Sequence, residues 1–302
     1  MPLRLATRGS PLALWQARFV AALLAGPTEL VVVDTSGDRT QDRPVWEMGG
    51  QGVFVKEVQA AVLDGRADAA VHSAKDLPSQ TAPGLVIGAV PERADARDVL
   101  VGARLDELVP GAPIATGSVR RRAQLAWIRP DLTFTSLRGN IATRLDRVPH
   151  GGAIVMAAAA LQRLELRPER SEVLEPHVML PQVGQGAIAV ECREDDESVR
   201  AQLIAADHAS TRACVDAERA FLGRLGGGCD LPVGALAVID AAGGPAPLHV
   251  EALLASLDGR ILLRSGADGA VADGPELGAA LAADLLAAGG RDLLDDAGTR
   301  PA

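Results

Sequence analysis

The first two-thirds of the chain repeats one local pattern: a short aliphatic run, a polar or glycine-rich break, then a stretch with helical spacing of apolar residues. Leu3–Ala6, Leu30–Val33 and Ala67–Val71 are the first three runs, and each reads as a buried strand. Between the first two, Ser10 is a good N-cap and Pro11 suits the first helical turn. Leu12, Leu14, Trp15, Phe19, Leu23 and Leu24 then form an apolar stripe that Gly26-Pro27 stops. Phe54, Val58 and Val62, at i, i+4 and i+8, mark a second helix ended by Gly65, with Lys56 off its stripe. Strand-helix-strand-helix-strand order predicts a parallel, doubly wound α/β sheet. Aromatic residues are 2% of the chain and tyrosine is absent, so the cores must be built from Ala, Val and Leu.

The pattern resumes after the hinge-like stretch Pro91–Arg97, giving a second α/β lobe that begins at Val99–Val101. Strand Ile114–Thr116 leads through Gly117-Ser118 into a helix with Arg120, Arg121 and Arg122 in its first turn. Strand Leu132–Thr135 leads through Ser136-Leu137-Arg138-Gly139-Asn140 into a helix with Arg144. Strand Ala153–Met156 leads into a helix ending near Arg163. Cations at a helix N-terminus oppose the macrodipole at about 0.3–1 kcal/mol each, so an anion is expected there. Three arginine-bearing junctions on one sheet edge favour a polyanion site. After Pro181–Gly186, strand Ala187–Glu191 is expected to cross back into the first lobe, leaving a cleft between two lobes. Helix Ala209–Leu225, strands Val233–Val238, Leu248–Ser256 and Ile261–Ser265, a hairpin turn at Asp258-Gly259 and a final helix Gly274–Ala288 make a small α+β domain with an antiparallel sheet. The predicted domains are 1–91 with 187–205, then 97–181, then 209–302.

One strand exit concentrates chemistry. Val71-His72-Ser73-Ala74-Lys75-Asp76-Leu77-Pro78 offers an imidazole, a hydroxyl, an ammonium and a carboxylate at the sheet edge where ligands bind in open α/β sheets. Pro78 keeps Leu77 out of the α region, so the loop leaves extended. The chain has only two lysines, Lys56 and Lys75, among 30 cationic residues, so a lysine beside Asp76 points to a role that arginine's fork cannot fill. A surface Lys75–Asp76 pair is the plain structural alternative.

The net charge of −9 argues against a nucleic-acid surface. No run approaches the roughly 18 apolar residues of a membrane span, and Met1-Pro2-Leu3-Arg4 enters a strand without a signal-like segment. A soluble, cytoplasmic protein is expected. Cys192, Cys214 and Cys229 show no metal-site or disulfide spacing. Residues 35–52, polar and then Gly49-Gly50-Gln51-Gly52, form a long connection of the kind used as a lid or left disordered.

Arg8-Gly9-Ser10-Pro11-Leu12-Ala13, His72-Ser73-Ala74-Lys75-Asp76, Ser136-Leu137-Arg138-Gly139-Asn140, Val183-Gly184-Gln185-Gly186 and Gly226-Gly227-Gly228-Cys229, in that order over nearly the whole chain, closely resemble the porphobilinogen deaminase (hydroxymethylbilane synthase) family. The resemblance implies two lobes like periplasmic binding proteins plus a third domain, and a monomer. It implies a transferase that joins four porphobilinogen molecules head to tail into hydroxymethylbilane, releasing ammonia, in haem biosynthesis. It implies a covalent dipyrromethane cofactor on Cys229, an essential carboxylate at Asp76, and carboxylate-pairing arginines at Arg8, Arg120, Arg121, Arg138, Arg144 and Arg163. Ser10, Ser73, Lys75, Thr116, Ser118 and Gln185 join the implied binding set. No metal, nucleic acid or membrane partner is implied.

Two positions depart from the family pattern. Gln51 stands where lysine is usual, and Gly117 removes one hydroxyl from a Thr-Ser-Ser segment. A non-enzymatic two-lobed binder of a small anion is the competing reading, and it leaves the Gly226–Cys229 stretch and the third domain unexplained. If bound carboxylates are what offset Arg120 and Arg121, either arginine can be replaced by leucine without weakening the apo fold. Arg122, one position further round the helix, is expected to point elsewhere.

Overall fold

The computed structural model describes residues 1–35, 55–226, 231–239 and 247–298. The connection carrying Gln51 and the segment carrying Cys229 lie outside the described residues. Two compact units divide the chain. The first holds residues 1–94 and 186–212, the second residues 95–185 and 213–302.

The first unit is built on one five-stranded sheet. Its strands are β1 (Leu3–Arg8), β2 (Thr28–Val33), β3 (Ala69–Ser73), β4 (Leu85–Ala89) and β10 (Ile188–Arg193), in the order β2-β1-β3-β10-β4. Helix α1 (Pro11–Leu23) covers one face and α2 (Lys56–Leu63) the other. The second unit contains a sheet of β5 (Asp98–Val101), β6 (Pro113–Ala115), β7 (Thr133–Thr135), β8 (Ala153–Ala157) and β9 (Ser171–Leu174), in the order β7-β6-β8-β5-β9. Helices α3 (Val119–Ile128), α4 (Ile141–Leu145) and α5 (Ala158–Arg163) follow β6, β7 and β8.

The predicted all-parallel sheets are mixed. β1, β2 and β3 are parallel, but β10 runs antiparallel between β3 and β4. In the second sheet β5 runs antiparallel between β8 and β9. A parallel neighbour needs a crossover connection, usually a helix. No helix separates β4 from β5 or β9 from β10, so β5 and β10 enter their sheets from the opposite end. The two sheets thus share one strand order, each with a single antiparallel strand in the fourth position.

Local expectations shift in instructive ways. β2 is an edge strand, with Val32 55% exposed, rather than a buried one. α1 buries Ala13, Gln16, Ala17 and Val20, not the bulky stripe predicted from Leu12 to Leu24. Small side chains let the helix lie close to the sheet, and Trp15 and Phe19 stack at its margin with ring centroids 5.3 Å apart. The predicted strand Ala67–Val71 starts and ends two residues later, so His72 and Ser73 belong to the strand.

The remainder of the second unit is the small α+β part. β11 (Val233–Ile239), β12 (Leu248–Ala255) and β13 (Leu262–Gly269) form an antiparallel sheet. Helix α7 (Ala209–Leu225) and helix α8 (Gly274–Leu285) pack on it around Phe221, Leu248, Val250, Leu281 and Leu285. The helix predicted to finish near Ala288 stops at Leu285, where a π turn with Gly289 at φ 106° leads into a further helix, Arg291–Gly298. Among the described residues no helix is long and apolar enough to cross a membrane.

Candidate active site

Every candidate among the described residues ends a strand or follows one, apart from Gln185, which precedes β10. In the first unit β3 runs out at Ser73, a 3-10 turn spans Ala74–Asp76, and Leu77 continues extended at φ −70°, ψ 140°. The turn is fastened by backbone bonds: Ala74 N–H donates to Ala187 O at 3.0 Å, and Leu77 N–H to Ala74 O at 3.3 Å. The Ser73 hydroxyl accepts from Nε2 of Gln16 on α1 at 3.3 Å. Lys75 and Asp76 are half-buried. Among the described residues the Asp76 carboxylate has neither an ion-pair nor a hydrogen-bond partner within the protein.

Arg8 ends β1 beside this turn's strand, half-buried. Ser10 caps α1, its hydroxyl accepting from Ala13 N–H at 3.3 Å. That acceptance starts α1 and leaves the Ser10 O–H proton to be donated elsewhere.

In the second unit a residue of the chain itself faces the paired arginines and balances part of their charge. Asp98, fully buried at the start of β5, lies 2.8 Å from Arg120 Nη1 and 2.7 Å from Arg121 Nη2. Arg121 Nε also donates to it at 2.9 Å, and Gln185 Nε2 at 3.0 Å. Burial would raise the Asp98 pKa, but the two guanidiniums outweigh it and hold the carboxyl down at about 2. Arg120 further donates to Leu180 O and Arg121 to Val155 O, both at 2.7 Å. Two guanidiniums against one carboxylate leave one positive charge in excess, and the buried Arg120 Nε has no hydrogen-bond partner among the described residues. Arg122 is exposed on the other side of α3, as expected.

Thr116 and Ser118 build the turn into α3. Ser118 N–H donates to the Thr116 hydroxyl at 3.2 Å, and Arg121 N–H to the Ser118 hydroxyl at 3.4 Å. The glycine between them has a steric cause: a Cβ on Gly117 would stand 2.8 Å from Leu137 O. Leu137 belongs to the loop that carries Arg138, so the lost hydroxyl is the condition for bringing these two loops together. Arg144 Nε donates to Gly139 O at 2.8 Å, which folds its guanidinium stem over the same loop. Arg163, in the last turn of α5, is 6% exposed, and burial pushes its guanidinium down to about 10. Gln185 is fully buried between Gly184 and Gly186, both left-handed at φ 70° and 84°, and it donates to Ala96 O at 2.7 Å as well as to Asp98. Gln185 thereby acts on Arg120 and Arg121 through Asp98.

Sequence reading missed Asp98 and Gln16. The only trace of Asp98 is an acidic residue between the hinge-like Pro91–Arg97 stretch and a strand of Val and Leu.

A family model described as porphobilinogen deaminase, dipyromethane cofactor binding domain, matches residues 3–201. A second, porphobilinogen deaminase, C-terminal domain, matches residues 212–287. A curated protein named porphobilinogen deaminase from Nitratidesulfovibrio vulgaris strain DP4 is 44% identical over 303 residues, covering 97% of this chain and 95% of that protein. The namesake from strain Miyazaki F is 44% identical over 304 residues, covering 96% and 95%. Among solved structures, the Bordetella pertussis BvgS periplasmic VFT2 domain aligns with 68% of this chain and 86% of its own at 14% identity and a TM-score of 0.38, too distant to carry an argument. Matched along nearly its whole length by both family domains and by full-length relatives, the chain belongs to the porphobilinogen deaminase family.

Proposed function

We propose that this protein is a hydroxymethylbilane synthase: it condenses four porphobilinogen molecules head to tail into hydroxymethylbilane and releases one ammonia for each. The observation that carries the reading is the Asp76 carboxylate, without a partner among the described residues, on a fastened turn at the C-terminal edge of β3, in a chain of this family. Loss of ammonia from the aminomethyl pyrrole leaves a delocalised azafulvene cation. A carboxylate held in place, with no cation among the described residues to neutralise it, stabilises that charge as it develops. Asp76 also sits where it can accept and return the protons that deamination and ring deprotonation move.

The donor set suits a dipyrromethane, whose pyrroles carry acetate and propionate groups. When bound, that group supplies the free pyrrole position from which the chain is extended. Cys229 is its attachment residue in this reading. Arg8, Arg138, Arg144 and Arg163 pair carboxylates, with Ser73 and Lys75 beside Asp76. Arg120 and Arg121 contribute the unbalanced positive charge of their cluster, with Thr116 and Ser118 shaping the turn that precedes them. The division into domains 1–91 with 187–205, 97–181 and 209–302 goes with the reading, as do a cytoplasmic, monomeric state and the absence of nucleic-acid or membrane partners. A non-catalytic anion binder is not favoured, since relatives named for the deaminase cover the chain at 44% identity.

Intact mass spectrometry of the purified protein tests it. The expected mass exceeds that of the 302-residue sequence by one dipyrromethane, localised to the peptide containing Cys229. Active protein with an unmodified Cys229 overturns the assignment.

A further inference from the structure

Beneath the Asp76 turn the first unit brings three buried polar side chains together. His72 is 5% exposed, Glu191 1% and Gln59 6%. Gln59 Nε2 donates to Glu191 Oε2 at 2.8 Å, and His72 Nε2 lies 3.2 Å from the same oxygen, in contact though off hydrogen-bond alignment. The three residues come from α2, β3 and β10. Their neighbours on that face are Ala70, Val58, Ala61 and Val62.

Their location gives them a task. The register pairs β3 with β1 at Ala69 and Ala70, while Val71, His72 and Ser73 have register partners on the β10 side alone. A strand end held on one side only is free to fray. Successive side chains face opposite sides of the sheet. Ser73 is tied on the α1 side by Gln16, and His72 is tied on the α2 side by Glu191 and Gln59. The strand end is thus pinned through both faces, immediately before the residues that turn out to Asp76. Folding alone does not call for this chemistry, because apolar groups of similar volume usually hold such a place as well as a buried polar set.

Resting on the reading of Asp76 given above, we propose that His72, with Glu191 and Gln59, is a positioning residue that fixes the end of β3 and so the placement of the Asp76 carboxylate. The cluster touches no substrate. Its loss therefore lowers turnover without weakening binding.

The test compares Asp76→Asn with the all-apolar triple variant Gln59→Met, His72→Leu, Glu191→Met, each isolated with its cofactor and checked by intact mass. The triple variant is expected to melt near the parent temperature and load the cofactor. Its kcat for porphobilinogen is expected to fall tenfold or more, with KM within twofold. A triple variant turning over at the parent rate, beside an inactive Asp76→Asn, overturns the positioning role and leaves the Asp76 reading standing. An active Asp76→Asn overturns the Asp76 reading, and the inference with it. If the triple variant does not fold, His72→Ala decides by amide exchange. At least tenfold faster exchange of the Ala74 and Leu77 N–H groups with a matching loss of kcat supports the proposal, and parental values of both overturn it.

Discussion

A carboxylate is most useful to a reacting cation when the protein has not already neutralised it, and at the residue scale Asp76 and Asp98 are the two opposite cases. Among the described residues Asp76 has no partner, so Asp76→Asn removes charge without disturbing a network there. Its kcat is expected to fall by about 10²–10³, the loss typical of one electrostatic stabiliser, with the melting temperature unchanged. Near-parental turnover in steady-state assays would exclude Asp76 as the charge-stabilising group. Asp98 is committed to Arg120 and Arg121, which reverses what the sequence implied for those arginines. Arg121→Leu strips a buried carboxylate of one of its two cations and leaves Val155 O without its donor. Breaking a buried pair in this way costs about 3–5 kcal/mol, so the apo protein is expected to melt well below the parent. The exposed Arg122→Leu is expected to shift stability by less than about 0.5 kcal/mol. Equal melting curves for the two would refute the role given to Asp98. The motif residues were legible in the sequence because each is a distinct side chain at a strand exit. Asp98 was not, because its significance lies in contacts 22 and more residues away that no local spacing encodes.

At the scale of elements, α3 shows how a helix start that looks unfavourable becomes stable. Arginines in its first turn oppose the macrodipole, and a fully buried Asp98 reverses the balance. That carboxyl titrates at about 2 in the folded protein against about 3.9 in an unfolded chain. A depressed carboxyl pKa stabilises the fold above the unfolded value, and the stabilisation is lost as pH falls through the folded one. Asp98 therefore contributes about 2 kcal/mol above pH 4 that disappears between about pH 4 and pH 2. Denaturant melts across that window are expected to show the loss in the parent and not in Asp98→Asn, which starts less stable. A parent whose stability is flat there would contradict the assignment. Elements were the most legible level, since strand and helix positions agree within a few residues wherever β-type runs meet capped helices. The errors have physical sources. α1 buries alanines because proximity to the sheet outweighs side-chain size, and β2 is aliphatic yet lies at an edge. The antiparallel direction of β5 and β10 was missed because strand direction is set by what connects strands, not by the strands' own residues.

At the scale of the molecule, two charge patterns compete over what the cofactor does to stability. The chain carries a net charge of −9, so adding the acetates and propionates of a dipyrromethane increases overall self-repulsion and disfavours the compact state. Locally the sign is opposite. The Asp98 cluster has one positive charge too many, and Arg163 is buried where its charge is disfavoured. Distance decides between them. Charges spread over the surface are screened beyond roughly 8 Å at physiological ionic strength, whereas a buried guanidinium meeting a carboxylate is screened far less. Each such charge-assisted hydrogen bond contributes about 1.5–3 kcal/mol, more than diffuse repulsion removes. Cys229→Ser, which cannot hold the cofactor in the proposed linkage, is therefore expected to melt several degrees below the loaded parent. The gap is expected to persist as salt is raised from about 0.01 to 0.15 M, a change that shortens the screening length from about 30 to 8 Å and removes most surface repulsion. A gap that closes over that range, or a Cys229→Ser variant that melts above the parent, would show that the cofactor's carboxylates are not received by buried arginines.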